Sequence, residues 1–108
     1  MLKEVFEVME TKRGLFPCQN VEDIALFIEG YSKAIEDYRL TDAALDIFKA
    51  GFDDFVIRKF GLESYDTNWV KTIRFYSGAS HRESWDIFFK CYADFMAEQD
   101  AEKPGPVE

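Results

Sequence analysis

An all-α single domain, an irregular bundle of about five helices with an aromatic-rich core, is the fold the sequence predicts. Three observations predict it. Apolar residues recur at three- and four-residue spacing in five segments, and alternation of period two is nowhere sustained, so helices are expected and strands are not. Proline and glycine are sparse within the chain and cluster only at its C-terminal end. Eleven phenylalanines in a 47% hydrophobic composition supply enough large side chains to pack a core.

The first helix is expected from Leu2 to about Thr11, with Leu2, Val5, Phe6 and Met9 on one face, ending near Gly14 before Pro17 extends the chain. Asn20 can cap a second helix from Val21 to about Tyr38, whose first turn carries Glu22 and Asp23 where the helix dipole favours anions. Its stripe is Ile24, Phe27, Ile28, Tyr31, Ile35 and Tyr38. Thr41 is the expected cap of a third helix running to about Phe60, with Leu45, Phe48, Phe52, Phe55 and Val56 on one face and Gly61 as its stop. Gly51 within it marks a candidate close crossing. A short fourth helix, Asn68 to Tyr76, is expected after a cap at Asp66 or Thr67, with Trp69, Ile73 and Tyr76 on one side and Ser77-Gly78 at its end. Ser80 and Glu83 have capping-box spacing and open a last helix to about Gln99, carrying Trp85, Phe88, Phe89, Tyr92, Phe95 and Met96. The helical domain is read as 1–101 and the segment 102–108, with Lys103-Pro104-Gly105-Pro106, as a disordered tail.

A chain of 108 residues fits one hydrophobic core. Its apolar runs are cut by charges well before the roughly 20 residues that span a bilayer. Acidic residues inside Met1-Leu2-Lys3-Glu4-Val5-Phe6-Glu7 argue against a secretory signal, so a cytoplasmic address is expected, with Cys18 and Cys91 reduced. The formal net charge of -8 repels phosphates and anionic lipid heads and favours a basic partner, although it also serves solubility. Direct binding of nucleic acid or membrane is not expected.

Catalysis needs convergent groups, and the chain offers one histidine, two distant cysteines and no phosphate-binding glycine loop. His81 falls in the first turn of the last helix, where a structural or solvated role is expected. No catalytic, cofactor-binding or metal-binding residues are predicted, and no cofactor. Carboxylates such as Asp42, Asp46 and Asp53 around Lys49 read as a solvated helix face.

Two apolar residues stand on the wrong side of their helices. At about 100° per residue, Leu26 falls opposite the Ile24 stripe, among Glu22, Glu29, Lys33 and Asp37. Ile87 falls among Glu83, Asp94 and Glu98. An apolar anchor with a charged rim is the composition of a recognition patch, and Glu22, Leu26, Glu29, Lys33, Asp37, Glu83, Ile87 and Asp94 are the candidate partner-binding residues. The simpler reading is that neighbouring helices cover both anchors.

Several motifs run the length of the chain: Arg13-Gly14-Leu15-Phe16, then Phe27-Ile28-Glu29-Gly30-Tyr31, then Phe52-Asp53-Asp54-Phe55-Val56-Ile57-Arg58-Lys59-Phe60, then Trp69-Val70-Lys71-Thr72-Ile73, and finally Trp85-Asp86-Ile87-Phe88-Phe89 leading to Asp94-Phe95. In this order they resemble small acidic helical bacterial immunity-like proteins associated with polymorphic or contact-dependent growth inhibition toxins. That group's first turn carries a proline that this chain lacks. The resemblance implies a non-enzymatic cytoplasmic protein that binds and neutralises one toxin domain, and a nuclease is the natural match for an acidic surface. The alternative is an acidic protein-interaction or regulatory module, monomeric or homodimeric, unrelated to toxins.

Overall fold

The computed structural model describes residues 2–12, 14, 19–62 and 67–102. They form five helices, α1 (Leu2–Thr11), α2 (Val21–Asp37), α3 (Ala43–Lys59), α4 (Trp69–Ser77) and α5 (His81–Glu102), with no strand among them. Most of the Arg13-Phe16 turn, Cys18, the Asp66 cap candidate and the tail from Lys103 lie outside the described residues.

Local chemistry sets the helix ends. Asn20 caps α2 by accepting from the Asp23 amide at 2.9 Å, as its position before an acidic first turn predicts. At α3 the cap is Asp42 rather than Thr41, and at α4 it is Asn68 rather than Asp66 or Thr67. In both cases a side-chain oxygen accepts from the amide three residues on, Leu45 and Lys71 respectively. Ser80 accepts from the Glu83 amide at 3.0 Å and starts α5. The Gly61 stop is a Schellman turn: Gly61 is left-handed at φ 69°, and the Leu62 amide reaches back to the Ile57 carbonyl at 3.0 Å. The same turn closes α2, but there Arg39 takes the left-handed position at φ 55°, a conformation that crowds its Cβ. Tyr38 belongs to this turn and is 77% exposed, so the α2 stripe ends at Ile35.

Burial follows the predicted stripes. Leu2, Phe6, Met9, Ile24, Ile28, Leu45, Phe48, Phe52, Phe55, Val56, Ile73, Trp85, Phe88, Phe89, Tyr92 and Phe95 form one core cluster. Phe6 inserts from α1 so that its ring meets Phe88, Phe89 and Tyr92 edge-on at 5.5, 6.0 and 4.8 Å. Edge contacts of this kind add about 0.5–1.5 kcal/mol beyond the area they bury. Phe52 joins Phe48, Trp69, Phe88 and Phe95 at the centre. Gly51 is the close crossing its position predicts, since a Cβ there would lie 3.4 Å from the Phe95 ring.

One buried carboxylate ties the first helix to the bundle. Asp42 accepts from the Leu2 amide at 2.8 Å, from the Leu45 amide at 3.2 Å and from the Tyr31 hydroxyl, joining α1, α2 and α3. Burial raises its pKa, but the bonds from Tyr31, Leu2 and Leu45 outweigh that and hold the carboxyl below its ordinary value. The other consequence of packing concerns α2, which leans chiefly on α4 and α5 rather than on its sequence neighbour α3. An open groove is left between α2 and α3.

Candidate functional site

The groove has a volume of about 860 Å³. Its floor is apolar, made by Ile28 of α2, Phe48 of α3 and Trp69 and Val70 at the start of α4. Its walls carry Glu29, Lys33 and Glu36 from α2 and Lys49 and Asp53 from α3. Two of these charges are committed to the architecture. Asp53 accepts from the Trp69 amide at 2.7 Å and so anchors the first turn of α4 between the two longer helices. Lys49 donates to the Ser32 hydroxyl at 3.0 Å across the gap. The side-chain carboxylates of Glu29 and Glu36 have no hydrogen-bond or ion-pair partner among the described residues, and both residues are exposed.

The predicted partner-binding residues separate into two groups. Five are on α2. Leu26 is 66% exposed at the centre of the helix's outer face, so no neighbouring helix covers it. Glu29 and Lys33 turn from that face into the groove wall, and Lys33 pairs with Asp37 at 3.0 Å one turn on. Glu22 is drawn into structure: Arg74 of α4 grips it with two bonds of 2.9 and 2.5 Å. Those bonds hold the Glu22 carboxyl below its ordinary value. Arg74 also donates to the Gly78 carbonyl, and Ser84 accepts from the Val21 amide, so this junction locks α2, α4 and α5 together.

The other three lie on α5 and are not joined to that face. Ile87 is half-buried against the core, which is the simpler of the two readings its position allowed. Asp94 accepts from Lys59 of α3 at 2.7 Å, beside the parallel Arg58–Glu98 pair. Glu83 is exposed, with its amide on Ser80. These are seams between α3 and α5 or the start of a helix. His81 joins the start of α5 to the cap of α2, with Nδ1 3.0 Å from the Asn20 side-chain nitrogen.

Phe75 is the residue the sequence reading passed over. It is 75% exposed, yet the count that isolates Leu26 also isolates Phe75, since two residues at about 100° each place it opposite the buried Ile73. Tyr76, expected in the stripe, is also partly exposed and stacks on Phe60 at 4.5 Å. Among the described residues no group of three or more His, Cys, Asp or Glu could hold a metal ion, and no helix is long and apolar enough to cross a membrane. Cys91 is buried and free, and burial pushes its thiol up to about 11.

Compared with known proteins, the chain matches no family model, no curated protein and no solved structure.

Proposed function

We propose that the protein is a non-catalytic, immunity-type binder that neutralises a bacterial toxin domain by occupying its active surface. The observation that carries the reading is the pairing of charge with shape on α2. This helix bears five carboxylates against one lysine and borders an open groove whose floor is apolar. A toxin nuclease must present cations to attract phosphates, and an acidic helix beside an apolar recess is complementary to such a surface. Long-range attraction speeds the encounter, and a side chain seated on the half-buried Trp69 and Val70 would slow release. An arginine suits that seat, since its guanidinium stacks on aromatic faces while Glu29 and Glu36 meet its charge. The similarity of its motif order to toxin-associated immunity proteins supports the same reading.

The test sequences the flanking genes for a toxin nuclease domain, mixes that purified domain with the protein and separates the products by gel filtration. A 1:1 complex is expected, weakened at least tenfold by Ser32→Trp, which fills the groove from α2. No complex at micromolar concentration would overturn the proposal.

A further inference from the structure

We propose that the outer face formed by α2 and α4 is a homodimer interface, with each copy's acidic α2 ridge seated on the other copy's basic α4 ridge about a two-fold axis running along the helices. The Glu22–Arg74 bonds and the groove shared by Ala25, Glu29, Trp69 and Val70 fix α2 and α4 as antiparallel neighbours. Their solvent ridges therefore lie side by side. The α2 ridge carries Leu26 with the Lys33–Asp37 pair further along it, and Glu29 stands on the flank of that ridge nearest α4. The α4 ridge carries Lys71 and Phe75, and α4 contains no acidic residue. Leu26 and Phe75 are two of the most exposed large apolar side chains among the described residues, and the helical repeat turns each away from the buried side of its helix.

The charge pattern selects the occupant. A wholly basic partner would meet Lys71, and a wholly acidic one would meet α2, whereas a second copy turned by 180° brings the two unlike ridges together. Only one two-fold axis does this. An axis lying in the face but across the helices sets α2 on α2 and opposes like charges, while an axis along them sets α2 on α4. Register along that axis is unchanged by the rotation, so the level of Glu22 with Arg74 within one copy also holds between copies. Lys71 then lies within a turn or so of Glu29 of the other copy, and Leu26 and Phe75, each leaning toward its own helix N-terminus, converge. Nine-residue α4 is about 13 Å long and packed axes lie about 9 Å apart, so the two α2–α4 contacts cover roughly 250 Å², well below the ~800 Å² per partner of a standard stable interface. The dimer is accordingly reversible and concentration-dependent.

Sedimentation equilibrium on the full chain, without any toxin, tests this independently of the proposed function. The mass is expected to rise from 12.6 kDa toward twice that value as concentration increases to about 0.5 mM, a range that captures weak association. Phe75→Ala, Lys71→Glu and Glu29→Lys should each weaken self-association at least tenfold, with circular dichroism showing that these surface variants remain folded. An equimolar mixture of Lys71→Glu with Glu29→Lys should dimerise again, because the mixed pair restores both unlike contacts. A 12.6 kDa mass at every concentration overturns the proposal, as does a dimer indifferent to Lys71→Glu or a mixture that stays monomeric.

Discussion

Replacing Asp42 by Asn probes the point where α1, α2 and α3 meet. The carboxylate is 5% exposed and accepts from Leu2, Tyr31 and Leu45. An amide keeps one oxygen, so either the Leu2 and Tyr31 donors or the Leu45 donor must face an NH2 group. Hydrogen bonds to a charged acceptor contribute about 1.5–3 kcal/mol and a stranded buried donor costs about 1–3 kcal/mol, so Asp42→Asn is expected to lose about 3 kcal/mol. At about 4–8 °C per kcal/mol for a domain of this size, the melting temperature should fall by roughly 15 °C. The pH dependence has a definite sign. The folded-state pKa of Asp42 lies below its ordinary value, so its contribution is complete above the ordinary ~3.9 and is lost as pH falls through the depressed value. Urea unfolding followed by circular dichroism should show a gap of about 3 kcal/mol between wild type and variant near pH 7, shrinking as acid takes the wild-type carboxyl through its depressed pKa and neutralises it. A variant within about 0.5 kcal/mol of wild type at neutral pH, or a gap that does not change with pH, would refute the role given to Asp42.

Other positions give sharper single-cause outcomes. Phe52→Ala removes a ring with no exposed surface and should cost about 3–5 kcal/mol in chemical denaturation. Arg39→Gly relieves a left-handed non-glycine residue and should stabilise the domain by about 1 kcal/mol, measured the same way; destabilisation would contradict the strain. In a Cys18→Ser background the Cys91 thiol should resist a thiol reagent in the native protein and react at once in denaturant, because burial raises its pKa to about 11 and blocks access.

Much of the bundle is legible in the sequence because its causes are local. Asn20, Gly61 and Ser80 act on backbone groups within a turn or two of themselves, and the Phe52 and Phe88 stripes need only a 3.6-residue period. What escapes is decided at a distance. Thr41 and Asp42 are both good caps, and Asp42 takes the position where it also accepts from Leu2, 40 residues away. Leu26 and Ile87 look alike on a helical wheel, but α2 lies at the edge of the bundle while α5 is flanked by α2, α3 and α4. The groove has no sequence signature at all, since it arises from α2 leaning away from α3. Phe75, by contrast, was readable by the wheel that exposed Leu26.

Titrating the toxin domain's catalytic activity with the purified protein tests the proposed function most directly. Activity should fall linearly to zero at one equivalent of the wild-type protein, while Ser32→Trp should shift the curve to weak, incomplete inhibition. Full toxin activity in a several-fold excess of folded wild-type protein would contradict the account.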